Sequence, residues 1–247
     1  ITVLHEAFRS LPEERYLYFA DAEHVPYGTK EKEEIVGYAD EAVGFMLKKD
    51  VKAVVIACNT ATSVAIGSLR GKYKIPILGM EPAVKPAVRR NRGKRVMVIA
   101  TPVTLREEKL KNLLTSVDEN HVVDLLALPE LVSFAEKGAF ETEELDRYLR
   151  DEFSRYDLTD YSALVLGCTH FNYFKDTFRK IFPADVDFID GCAGTIRHLA
   201  EVLKEEGLLE SGGFQVEYYC SKRKIEDEAD LRRIAKLHER LEEMRNY

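Results

Sequence analysis

Short runs of β-branched and apolar residues alternate with longer amphipathic stretches along nearly all of this 247-residue chain. Arg15–Ala20, Ala53–Ala57, Ile75–Leu78, Arg95–Ala100, Val122–Leu126, Ala163–Leu166, Asp187–Ile189 and Phe214–Tyr219 read as strands. Helical spacing fills the gaps: Glu31–Lys49 places Ile35, Tyr38, Ala42, Phe45 and Met46 on one stripe, and Thr142–Tyr156 and Ile225–Met244 carry similar stripes among charges. A β-α-β rhythm of this kind specifies an α/β fold with mostly parallel sheets, because parallel neighbours need a crossover and the crossover helices cover both faces.

Pro82, Pro86 and the polar run Arg89-Arg90-Asn91-Arg92-Gly93-Lys94 punctuate the chain and divide it into two lobes. The expected organisation is a first lobe over residues 1–88, a second over 89–200, and a strand and helix over 201–247 able to return to the first lobe. Apolar residues make up 45% of the sequence, enough for a substantial core in each lobe. The net charge of −7 leaves no basic footprint for nucleic acid. No apolar stretch approaches the roughly 20 residues of a membrane span, so a soluble cytoplasmic protein is expected.

An internal echo points to chemistry. Val51–Thr60 and Tyr161–His170 share one plan: an apolar strand, a small residue, a cysteine, then hydrogen-bonding residues. Cys58 and Cys168 lie about one domain length apart, so the simplest reading is a pair of pseudo-symmetric α/β lobes with the active site in the cleft between them. Each cysteine falls at the carboxyl end of its expected strand, where open parallel sheets bind ligands. Asn59, Thr60, Thr62 and Ser63 are helix-capping types, so free backbone N–H groups and a positive helix end should accompany Cys58; such ends bind carboxylates and favour thiolates. Cys192 and Cys220 lack this setting and read as structural. No C-x-x-C pairing suggests a disulfide framework or a zinc site, and no G-x-G-x-x-G or phosphate-loop pattern suggests a nucleotide cofactor.

One catalytic cysteine usually means covalent attack, whereas two in equivalent settings suit inversion of a stereocentre. A base removes a proton from one side of the carbon and an acid delivers one to the other. A thiol with a reference pKa of about 8.5 can serve in either role near neutrality. The site must also neutralise the charges of a weakly acidic substrate.

Ala57-Cys58-Asn59-Thr60-Ala61-Thr62 and Leu166-Gly167-Cys168-Thr169-His170 resemble the two signature segments of the glutamate racemases. Phe19–Gly28 resembles that family's substrate loop, and Gly79-Met80-Glu81-Pro82-Ala83 and Ala100-Thr101-Pro102-Val103-Thr104 resemble its interlobe segments. The resemblance implies that Cys58 and Cys168 are the acid/base pair with His170 assisting Cys168. It implies that Tyr27, Gly28, Asn59, Thr60 and Thr169 contact the substrate, with Thr104 a further binding residue and Glu136 a supporting acid. It implies glutamate as substrate, no cofactor, no metal, and D-glutamate for peptidoglycan as the product; a homodimer is expected. The family opens with a strand and a D-S-G-x-G-G segment whose Asp assists the first cysteine, and this sequence starts just beyond the corresponding point. Phe171-Asn172-Tyr173-Phe174 replaces the family's Y-P-L-L, and Ile189-Asp190-Gly191-Cys192 departs from its I-D-S. An aspartate or broad-specificity racemase, a binding descendant without turnover, and a thiol redox or metal module are the competing readings.

Overall fold

The computed structural model describes residues 1–80 and 82–247; Glu81, within the matched segment 79–83, lies outside the described residues. Along the chain the elements begin with α1 (Thr2–Ser10), β1 (Arg15–Ala20), α2 (Lys32–Leu47), β2 (Val54–Ile56), α3 (Asn59–Lys72) and β3 (Ile77–Gly79). They continue with α4 (Val84–Arg89), β4 (Arg95–Ala100), α5 (Pro102–Arg106), α6 (Glu108–Val117), β5 (Val123–Ala127), α7 (Glu130–Glu136) and α8 (Glu143–Phe153). The remainder is β6 (Tyr161–Leu166), α9 (Lys175–Arg179), β7 (Asp187–Asp190), α10 (Cys192–Glu205), β8 (Gln215–Cys220), β9 (Arg223–Lys224) and α11 (Glu228–Glu243).

The chain divides into two compact units, Ile1–Met80 with Cys192–Leu241, and Glu81–Gly191 with Glu242–Tyr247. In the first unit β1 pairs in parallel with β8, β9 closes that sheet in antiparallel register, and β2 pairs in parallel with β3. The β2–β3 pair is covered on two sides. Ala39, Val43, Ala65, Ile66 and Leu69 of α2 and α3 pack with Val54 and Ile77, while Val3 and Ala7 of α1 and Ile196, Leu199 and Leu203 of α10 pack with Leu78 and Met80. Each Val, Ile or Leu side chain among these contributes about 1.5–3 kcal/mol on removal from water.

The second unit carries a four-stranded parallel sheet in the order β5-β4-β6-β7. All six residues of β6 are buried, as the near-continuous apolar run Tyr161–Leu166 requires of an inner strand in a sheet covered on both faces. Val96 and Val98 of β4 and Ala163 and Val165 of β6 pack against Val84, Ala87 and Leu110 of α4 and α6. Helix starts follow local chemistry: Glu31 and Glu34 form a reciprocal capping box at α2, and Thr101 and Thr142 cap α5 and α8.

One local expectation changes. The stripe beginning at Ile225 starts as a helix only at Glu228, because Ser221 and Lys222 take φ of 43° and 71° and turn the chain back onto β8. Cys220 pairs with Arg223, and the Ile225 N–H donates to the Tyr218 carbonyl at 2.8 Å. Two consecutive left-handed residues are the requirement of a tight hairpin, which a periodicity argument does not register. Among the described residues no helix is long and apolar enough to cross a membrane.

Candidate active site

In the first unit, β2 ends at Ile56 and Cys58 becomes the N-cap of α3 in an extended conformation. Its Sγ accepts the Ala61 N–H at 3.4 Å, so the sulfur occupies the place of a serine or aspartate cap oxygen, against the positive end of a 14-residue helix. Asn59 and Thr60, on the first turn, are both buried. Among the described residues the buried Asn59 Oδ1 has no hydrogen-bonding partner, an acceptor left for a donor from elsewhere.

Two features hold this corner in place. The Thr62 hydroxyl donates to the Ile56 carbonyl at 3.2 Å and accepts the Met80 N–H at 2.9 Å, tying α3 to the ends of β2 and β3. Gly79 makes the approach possible: a Cβ there would lie 2.4 Å from Thr62 Cγ2 and 2.5 Å from Ile66 Cδ1. The 3-10 turn Tyr27–Thr29 packs on α3 and buries Gly28. The Tyr27 hydroxyl donates to Asp21 Oδ2, and burial first, then Asp21 and the nearby Cys58, raise the phenol's pKa well above its ordinary value.

In the second unit, Gly167 lies between β6 and Cys168. Its N–H donates to the Ile99 carbonyl at 2.7 Å, and a Cβ on it would meet that same oxygen at 2.7 Å and Ala100 Cβ at 2.9 Å. Cys168 is extended and buried, and leads into the 3-10 turn Thr169–Phe174, with Thr169 half-buried at its start. His170 Nδ1 sits 3.7 Å from Cys168 Sγ, and its Nε2 sits 2.7 Å from Glu136 Oε1 at the end of α7, which packs on this turn. Burial opposes the charged imidazole, but the hydrogen bonds and negative fields of Cys168 and Glu136 outweigh it and raise the pKa to about 9. The raised pKa favours the charged imidazolium, whose Nδ1 faces the Cys168 sulfur.

Thr104 is buried in the first turn of α5, beyond the carboxyl end of β4, its hydroxyl 3.0 Å from that of Thr101. The structure thus groups Tyr27, Gly28, Asn59 and Thr60 around Cys58 within the first unit, and Glu136 and His170 around Cys168 within the second. Sequence reasoning left two groups without a role. Asp21 and His24 sit inside the loop recognised as Phe19–Gly28, and their D-x-x-H-x-x-Y spacing was the available signal. Lys175 Nζ lies 3.1 Å from Asp190 Oδ2, both largely buried, and links α9 to the end of β7. All four cysteines are thiols, and among the described residues no cluster of three or more His, Cys, Asp or Glu has the arrangement of a metal site.

The family model for Asp/Glu/Hydantoin racemases matches residues 2–199. A glutamate racemase of Lachnospira eligens is 51% identical over 99% of this chain and 95% of its own length. The Escherichia coli glutamate racemase, crystallised with L-glutamate and the activator UDP-MurNAc-Ala, superposes with a TM-score of 0.82 at 25% identity, covering 96% of this chain and 90% of that one. The Francisella tularensis enzyme, crystallised with D-glutamate, gives a TM-score of 0.76 at 27% identity over 89% and 83% of the two chains. With that breadth of match in sequence and fold, the chain belongs to the Asp/Glu/Hydantoin racemase family and, within it, with the glutamate racemases.

Proposed function

We propose that this chain interconverts L- and D-glutamate by proton transfer at the α-carbon, with Cys58 and Cys168 as the base and acid. The observation that carries the reading is that a positive group stands beside each sulfur: the N-terminal end of α3 at Cys58, and at Cys168 the His170 ring, 3.7 Å away, whose pKa is raised. One cysteine, as thiolate, takes the α-proton; the electron pair of the C–H bond remains on the carbon. The other, as thiol, delivers its S–H proton to the opposite side of that carbon. The first cysteine is left as thiol and the second as thiolate, so the pair is poised for the reverse reaction. A reset by exchange with solvent returns the starting state.

Glutamate as substrate is supported by the names of the relatives and by the two ligand-bound structures that resemble this chain. The Asn59 Oδ1, without a partner among the described residues, suits the substrate ammonium group, and the positive N-terminal end of α3 suits a carboxylate. The proton transfers call on groups of the chain alone. The D-glutamate formed would serve peptidoglycan synthesis.

The test is exchange of the glutamate α-proton with solvent deuterium, followed by NMR alongside circular dichroism, for the wild type and for Cys58→Ala and Cys168→Ala. Exchange with loss of optical activity in the wild type, and no racemisation in either variant, is the expected result. Racemisation that survives removal of either thiol would sink the two-cysteine reading, and faster turnover of aspartate than of glutamate would overturn the substrate.

A further inference from the structure

We infer that Asp21 and His24 are positioning residues of the substrate loop: together they turn the Tyr27 hydroxyl inward, so that the loop meets substrate through its backbone at Tyr27 and Gly28 and not through the phenol. The inference rests on the glutamate reading above and adds a role for two residues next to that site.

Asp21 follows the last residue of β1, at the ligand-bearing end of the strand. A bare carboxylate there would repel a dicarboxylate substrate. Both of its oxygens are engaged by the loop itself: Oδ2 accepts the Tyr27 hydroxyl, and Oδ1 lies 2.7 Å from His24 Nδ1. His24 is in turn held flat on Tyr38 of α2, with ring centroids 3.8 Å apart and planes 13° from parallel. The Lys30 ammonium, just past the turn, stands 5.6 Å from the centre of the same Tyr38 ring. The segment from Asp21 to Lys30 is thereby attached to α2 at two points and closed on itself at a third. A hydroxyl has one proton to donate, and Tyr27 gives its proton to Asp21. The phenol then has no proton left for a substrate carboxylate, and the donors that remain in the loop for one are backbone N–H groups of the turn, which the loop's internal bonds hold against α3, the helix that Cys58 caps. Order held in advance in this way lowers the entropy cost of binding, so its loss falls mainly on substrate affinity.

A double-mutant cycle on the full chain decides the point, with KM and kcat for glutamate read by circular dichroism. Asp21→Ala and Tyr27→Phe are each expected to raise KM by about tenfold with kcat within about threefold, and the double variant is expected to be no worse than the worse single, because both remove one bond. Asp21→Asn, which keeps an acceptor, should recover most of the loss. A further tenfold rise in KM when Tyr27→Phe is added to Asp21→Ala means that the phenol itself binds substrate, and the inference falls. It falls equally if Asp21→Ala lowers Tm and leaves KM unchanged. Should Asp21→Ala not fold, His24→Ala carries the same decision, with a severalfold rise in KM expected and an unchanged KM overturning the proposal. A wild type without racemase activity overturns the glutamate reading instead; amide hydrogen exchange at residues 27–30, expected to quicken in His24→Ala, then still decides whether the pair holds the loop.

Discussion

Cys58 and Cys168 occupy the same position relative to a parallel strand, yet the surroundings of the two sulfurs are built from different materials. At Cys58 the sulfur is part of the helix: it caps α3 and accepts a backbone N–H, so its electrostatics come from peptide groups fixed by secondary structure and insensitive to pH. At Cys168 the following segment is a six-residue 3-10 turn with a weaker axial field, and a charged side chain, His170 backed by Glu136, stands beside the sulfur. The difference teaches that a repeated strand-cysteine plan preserves position, while the polar surroundings of the sulfur are free to diverge. One sulfur is bonded by the backbone, and the other faces a titratable side chain.

The largest effect expected tests whether both corners are needed at all. Cys58→Ser and Cys168→Ser each replace a thiol by a hydroxyl far too weakly acidic to serve as a base near neutrality, and each should lower racemisation by about a thousandfold or more. A variant that retained a tenth of wild-type activity would remove the symmetry of roles on which the comparison depends. Initial rates in both directions, L to D and D to L, give the answer.

Next comes a contrast in the residue just before each cysteine. Gly167→Ala drives a methyl group into the Ile99 carbonyl oxygen and Ala100, both fully buried residues of β4 with no room to give, and should destabilise the second unit by about 3 kcal/mol. Ala57, exposed at the equivalent position, should accept Gly at a cost of below about 1 kcal/mol. Urea unfolding of the two variants measures both. Equal losses would mean that the corners are packed alike and that only their charges differ.

The Glu136–His170 pair is a smaller lever. Glu136→Gln leaves the Cys168 contact but removes one of the negative fields that raise the His170 pKa, so the pKa should drop from about 9 toward the ordinary value of about 6.5. A group with a raised folded pKa stabilises fully below its unfolded pKa and loses that contribution as pH rises through the folded one. Stability owed to His170 is therefore present below about pH 6.5 and fades up to about pH 9, and Glu136→Gln should flatten that decline. Turnover at pH 8 should fall by about tenfold, with the alkaline limb of the rate profile moved to lower pH. Loss of the limb in His170→Gln, with none in any variant of the Cys58 corner, is the sharper form of the same contrast.

How far these corners could be read from the sequence follows the same division. The strands Arg15–Ala20 and Arg95–Ala100 and the helix beginning near Glu31 appear where local pattern places them, because burial on a sheet and a capping box are encoded within a few residues. Cys58 at a strand end before a helix was legible for the same reason, whereas the cap is Cys58 itself and Asn59, Thr60, Thr62 and Ser63, read as capping types, lie inside α3. The Glu136–His170 contact was not, since it joins residues 34 apart and exists only because α7 packs on the turn after Cys168. The 3-10 character of that turn was equally hidden: Phe171, Tyr173 and Phe174 carry no helix-breaking signal, and their burial in the second unit outweighs propensity. The Asp21–His24–Tyr27 set falls between these cases, with its spacing visible and its bonds dependent on a stack against Tyr38 of α2.

The smallest effect probes why the backbone-controlled corner stays in place without a charged side chain of the His170 kind. Thr62 is fully buried, and its hydroxyl is the hinge pin between the end of β2, where it meets the Ile56 carbonyl, and the residue after β3, where it meets the Met80 N–H. Thr62→Val preserves shape and volume, so no cavity opens, but it leaves a buried donor on Met80 and a carbonyl on Ile56 with one partner fewer. The expected cost is about 1 kcal/mol in urea unfolding, and Thr62→Ser, which keeps the hydroxyl but loses a methyl group, should retain these bonds at the cost of a small void. If α3 is the device that controls Cys58, a small shift of its first turn in Thr62→Val should slow glutamate turnover about threefold with the alkaline limb assigned to His170 unmoved, because the perturbation acts on peptide dipoles and not on a titrating group. A displaced alkaline limb in Thr62→Val would instead mean that the two thiols share one titration, and the contrast between a backbone-controlled and a side-chain-controlled cysteine would no longer hold.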